Sequence, residues 1–150
     1  MRRSYLICLL ALLPSCKEPP AGPAKTDLDA IRVSVRVQPT TVVAGTAATV
    51  IVTLKNTSAQ PVAISSCPIY FWVQGQSGQI VGGSNLIACV AATLVYIPLR
   101  FDPLETKTLT FTWSAAETQT VPAGAYDVFG WANDAAHRST AARVTVQPSN

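Results

Sequence analysis

The chain has 150 residues, room for one domain rather than two. Hydrophobic residues make up 49% and charged residues 13%, which excludes disorder as the main state. The net charge of +3 falls well short of the footprint of a nucleic-acid binder.

The chain opens on Arg2 and Arg3, then an apolar stretch over residues 5–13. That stretch is too short for a membrane-spanning helix, which needs about 20 apolar residues. A basic start, a short apolar core and a small-residue cleavage region describe an export signal. Leu13-Pro14-Ser15-Cys16 resembles the lipobox of bacterial lipoproteins. The resemblance implies cleavage before Cys16 and acylation of its sulfur. Residues 1–15 are then a signal peptide, and 16–29 a lipidated N-terminus and tether. More than one acyl chain gives stable anchoring in a bilayer. Lys17 stands where inner-membrane lipoproteins usually carry Asp. The resemblance therefore implies an exported protein, anchored to the cell envelope. In a Gram-negative host it would sit on the outer membrane, facing the periplasm. Residues 17–25 read KEPPAGPAK, a semi-rigid spacer. Loss of Arg2 and Arg3 makes the processed chain two charges less positive.

From Ile31 the pattern has period two. Ile31, Val33, Val35 and Val37 alternate with Arg32, Ser34 and Arg36, predicting a half-buried strand that Pro39 stops. Residues 42–45 read as a turn. Ala48, Val50, Val52 and Leu54 define a second strand, and Asn56-Thr57-Ser58 ends it. Residues 62–64 and 70–73 are the third and fourth. Gly75-Gln76-Ser77-Gly78 turns the chain so that Ile80-Val81 pairs back, before Gly82-Gly83 breaks the pairing. The stretch 86–99 permits a helical turn in its first half and a strand over 93–97. Residues 107–113 form the clearest strand, with Leu109, Phe111 and Trp113 on one face and threonines on the other. Pro122-Ala123-Gly124 is a turn. Strands follow over 126–131 and 143–146. No helix-period segment of about ten residues follows the signal. Many short strands spaced by turns predict an all-β, two-sheet antiparallel sandwich.

Cys8 leaves with the signal. Cys67 and Cys89 remain, an even pair in an oxidising compartment, and predict a disulfide. It would close a loop of about 23 residues, worth roughly 3 kcal/mol.

Catalytic equipment is sparse. The single histidine, His137, falls in a segment read as a solvated surface loop. No nucleophile-elbow pattern accompanies it. The one methionine, Met1, leaves with the signal, so a blue-copper ligand set is excluded. Gly82-Gly83 has no neighbouring lysine or following helix, so it reads as a tight turn rather than a phosphate loop. The acidic residues are scattered. No catalytic residue, metal ligand or cofactor is expected, and the chain reads as non-enzymatic.

Val52-Thr53-Leu54-Lys55-Asn56-Thr57-Ser58 is followed by Pro61-Val62, the Gly75–Gly78 hairpin and the turn Asp102-Pro103-Leu104-Glu105-Thr106. A strand ending at Trp113 and the closing Pro122-Ala123-Gly124-Ala125-Tyr126 complete the order. This order resembles BsuPI-type domains, small immunoglobulin-like sandwiches named for an intracellular proteinase inhibitor. Leu104 stands where that turn commonly has glycine. The resemblance implies an immunoglobulin-like domain over residues 30–148. The function expected is a membrane-anchored binding module with a protein partner and no nucleic acid. Tyr70, Trp72, Phe129 and Trp131 are its candidate contacts, Trp72 and Trp131 foremost. Two alternatives stand beside it. One is proteinase inhibition through the loop Ser84-Asn85-Leu86-Ile87, with Asn85 and Leu86 as contacts. The other is a structural envelope lipoprotein.

Overall fold

The computed structural model describes residues 28–65, 69–84, 98–132 and 134–149. Cys16, Cys67, Cys89, Asn85, Leu86 and the strand expected over 93–97 lie outside them.

Eleven strands are described: β1 Ile31–Gln38, β2 Thr41–Val43, β3 Ala48–Asn56, β4 Val62–Ser65, β5 Ile69–Gln74, β6 Ile80–Gly83, β7 Pro98–Phe101, β8 Thr106–Trp113, β9 Gly124–Ala132, β10 Asp134–Arg138 and β11 Ala142–Gln147. A 3-10 turn, Leu28–Ala30, precedes β1, and one six-residue helix, α1 Ala115–Thr120, follows β8. One sheet runs β1-β3-β8. The facing sheet runs β2-β11-β9-β5-β6, with β10 also on β9, and β4-β7 form a two-stranded ladder. This is an immunoglobulin-like β-sandwich.

The alternation read from β1 and β3 is the burial seen. Val33, Val37, Val50, Val52 and Leu54 point inward and Arg32, Arg36 and Lys55 outward. The facing sheet supplies Phe71, Val73, Val128 and Val144 to the same core. Each fully buried aliphatic or aromatic side chain contributes about 1.5–3 kcal/mol. Gly130 lies between these layers. A Cβ there would sit 3.0 Å from Val52 Cγ1, so the missing side chain lets the two sheets approach.

Two features identify the corner where the chain crosses between sheets. The Tyr126 hydroxyl donates to the Pro122 carbonyl at 2.6 Å, and its ring meets Trp113 edge to face. Such a tyrosine, near the start of its strand, is a hallmark of immunoglobulin-like sandwiches. At the opposite end Asn56 is wholly buried. Its amide donates to the Gln60 and Asp102 carbonyls, while its oxygen accepts from the backbone and hydroxyl of Ser58.

Several expectations need correction. Thr41–Val43 is a strand, not the start of a turn, and it pairs parallel to β11. The sandwich is therefore not wholly antiparallel. Gln38-Pro39, between β1 and β2, is a cis peptide. Gly82 and Gly83 continue β6 instead of breaking it, pairing with Val73 and Trp72. His137 lies on β10, not in a loop, and its side chain is 13% exposed.

The turn before β8 explains the glycine preference noted above. The Glu105 amide donates to the Asp102 carbonyl, with Pro103 and Leu104 between them, and Leu104 has φ of 62°. A type II turn requires that left-handed conformation at its third residue. It costs a side chain with a Cβ about 1–2 kcal/mol. Leu104→Gly is expected to raise stability by about 0.5–1 kcal/mol, after the extra chain entropy of glycine is deducted. A urea midpoint at or below that of the parent would contradict this. Gly130→Ala is expected to cost about 1–3 kcal/mol, because the added methyl meets buried Val52. An unchanged midpoint would show that the sheets separate freely.

Candidate functional site

The outward side of β5 and β9 is aromatic. Phe71, Val73, Val128 and Gly130 face the core, so the alternate positions face out. They hold Tyr70 and Trp72 on β5, and Phe129 and Trp131 on β9. Register sets Tyr70 directly opposite Trp131 and Trp72 opposite Phe129. Both pairs stack, with centroids 5.5 Å and 5.1 Å apart. The diagonal pair Trp72 and Trp131 meets edge to face at 4.8 Å. Aromatic cross-strand pairs of this kind add about 0.5–1.5 kcal/mol each beyond the area they bury.

The four residues singled out in the sequence are thus one block. They do not share one environment. Trp72 is 8% exposed, enclosed by its aromatic neighbours, while Tyr70, Phe129 and Trp131 are half-buried. Burial pushes the Tyr70 hydroxyl above its ordinary value of 10.0, so it remains a neutral donor and acceptor near pH 7.

Beside this block lies an open cleft of about 620 Å³. Tyr70, Trp72 and Trp131 line it together with Ile80, Ser84 and Arg138. Ile80 is the most exposed of the large apolar residues described, at 68%. The Arg138 guanidinium lies 5.4 Å from the centroid of the Phe129 ring, a cation–π contact at the border of the aromatic surface.

The β6 side of the cleft is held by α1. Ser114 caps this helix, its hydroxyl accepting from the Glu117 amide. Glu117 answers with one carboxylate oxygen on the Ser114 amide and hydroxyl. Its other oxygen accepts from the Gly83 amide at 3.2 Å. The outward edge of β6 is therefore occupied by a side chain. A Cβ on Gly82 would sit 2.6 Å from Trp113 Nε1, and one on Gly83 equally close to the Phe71 carbonyl. Close approach, not turn geometry, is the reason for both glycines. The Trp113 indole N–H is buried without an acceptor among the described residues.

Ser84 is the one residue of the expected inhibitory loop that is described, and it lines the cleft. Its hydroxyl accepts from the Phe71 amide. His137 Nε2 lies 3.2 Å from Asp29 Oδ1, on the far side of Arg138 from the aromatic block. Sequence reasoning missed Arg138, Ile80 and the helix. The helix had a signal, the Ser-x-x-Glu capping box at Ser114 and Glu117. Arg138 had none, because its place depends on the irregular register between β9 and β10. Among the described residues, no three His, Cys, Asp or Glu side chains are grouped to hold a metal ion. No described helix is long and apolar enough to cross a membrane.

No protein-family model matches the sequence, and no curated protein matches it. Likeness appears among solved structures. The β-glucosidase EmGH1 from Erythrobacter marinus is similar with a TM-score of 0.51 at 9% identity, over 78% of this chain and 15% of that one. The alkylpurine DNA glycosylase AlkC of Pseudomonas fluorescens, bound to DNA containing an abasic site analog, gives 0.51 at 14% identity, over 83% and 31%. The CARDB domain of the PF1109 protein from Pyrococcus furiosus is covered over 87% of its length, with a TM-score of 0.46 and 17% identity. The chain spans less than a third of either enzyme, and at these identities the likeness to them is one of fold.

Proposed function

We propose that this protein is a membrane-anchored, extracytoplasmic binding module without catalytic activity, which holds a protein partner on the aromatic face of β5 and β9. The observation that carries the reading is the block of Tyr70, Trp72, Phe129 and Trp131 on the solvent side, beside an open cleft. The core does not need these rings, since Phe71, Val73 and Val128 fill it from the opposite face. Tyr, Trp and Arg are the residues that dominate the energetics of protein interfaces, and all three meet here. An open, largely apolar cleft rimmed by a few polar groups is the usual form of a binding site. The lipobox around Cys16 and the proline-rich spacer support anchoring. The resemblance of the order of motifs to BsuPI-type domains supports a binding role for the sandwich.

Crosslinked capture from the native cell envelope tests the binding face. Trp131→Ala is expected to lower recovery of the partner at least tenfold, as hot-spot truncations do, while the domain stays folded with a Tm lowered by roughly 5–15 °C through the loss of two ring contacts. Equal recovery by parent and variant would remove the aromatic face from the reading. Palmitate labelling tests the anchor. Label is expected on the parent and none on Cys16→Ser; label retained by that variant would overturn the anchor.

A further inference from the structure

The opposite outer face has a different chemistry. On the sheet β1-β3-β8, the outward positions align in four rows. They are Arg32, Lys55 and Thr106; Ser34, Thr53 and Thr108; Arg36, Ile51 and Thr110; and Gln38, Thr49 and Thr112. This grid holds three cations, seven hydroxyls and no carboxylate. Arg32 lies directly opposite Lys55. Like charges so placed are destabilising. Yet Arg32, Arg36 and Lys55 form no ion pair among the described residues. Glu105, in the turn before β8, is engaged by Lys107 at 2.6 Å.

The positive surface continues around the β1 edge. A second groove of about 660 Å³ joins Arg32 and Ser34 to Thr57, His137, Arg138 and Asp29. Asp29, its one carboxylate, contacts His137. Arg138 thus extends the positive surface along this edge, next to the three exposed cations of the face. β1 is also the strand that leads out of the tether. Residues 16–27 precede Leu28, and a fully extended segment of that length reaches about 40 Å.

We infer that the outer face of β1-β3-β8 docks on an anionic phospholipid surface, with Arg32, Arg36 and Lys55 against headgroup phosphates. The inference rests on the anchored reading above, which keeps this face within reach of a bilayer. The hydroxyls of Ser34, Thr53 and the β8 threonines stand between the cations as further headgroup donors. A face with one central apolar side chain, Ile51, is unlike a protein hot spot. It carries no aromatic ring on which a single-stranded nucleic acid could stack. Each Lys or Arg held near an anionic membrane surface adds about 1 kcal/mol of attraction.

The test uses the chain 16–150 carrying Cys16→Ser, which keeps every described residue and lacks the acyl group. It is sedimented with vesicles of phosphatidylcholine alone, or of phosphatidylcholine with 30% phosphatidylglycerol. Binding is expected only to the anionic vesicles, and is expected to weaken as salt rises. The triple variant Arg32→Gln, Arg36→Gln, Lys55→Gln is expected to lose roughly a hundredfold in partition, while Arg100→Gln on β7 loses little. Equal binding to both vesicles, or an equal loss from Arg36→Gln and Arg100→Gln alone, would overturn the inference. So would displacement by millimolar inorganic phosphate at constant ionic strength, which marks a site for a free anion. Failure of palmitate labelling removes the anchor but leaves the vesicle result standing. Failure here with labelling intact removes this inference alone.

Discussion

The contact between Gly130 and Val52 sets the spacing on which the rest of the sandwich depends. With no side chain at Gly130, the two valine methyls on the facing strand fill the layer between the sheets. The backbone at this point is also fixed laterally. The Gly130 amide donates to the Ser139 hydroxyl, and its carbonyl accepts from the Ser139 amide. Because Gly130 faces inward, Phe129 and Trp131 must face outward. A strand has a period of two, so a slip of one residue would bury the rings and expose the glycine. The same contact that closes the core thus aims the aromatic block at solvent.

The sandwich consequently has two outer faces of unlike character. One carries stacked aromatic rings; the other carries cations spaced by hydroxyls. Arg138 stands at the border and lines a groove on each side. The edges are treated separately. Glu117 occupies the outward amide of β6, and the parallel pairing of β2 with β11 covers that side of β11. A sheet whose edges are occupied offers partners its faces rather than its backbone.

The alternating strands were the most legible part of the sequence. β1, β3, β8 and β9 follow from a period of two, because each buries one face and wets the other. The aromatic residues were legible as well, since the apolar neighbours of Trp72 and Trp131 could fill the core in their place. Short elements were not legible. β2 has three residues and owes its existence to β11, a partner about a hundred positions away, so no local pattern specifies it. β10 was hidden for a similar reason, its pairing with β9 being irregular. Gly82 and Gly83 were misread because turn and close packing both call for glycine, and only the positions of Trp113 and of the Phe71 carbonyl distinguish them.

The aromatic block unites β5 with β9, and β6, β7, β8 and α1 lie between them in the chain. Neither half of the block is a local structure. A chain emerging in an extended form carries Tyr70 and Trp72 long before Phe129 and Trp131 arrive to stack on them. No folding intermediate that lacks β9 can present the surface, and pairing across such a separation is slow compared with forming a hairpin. The surface therefore exists only in molecules in which β9 has already docked on β5.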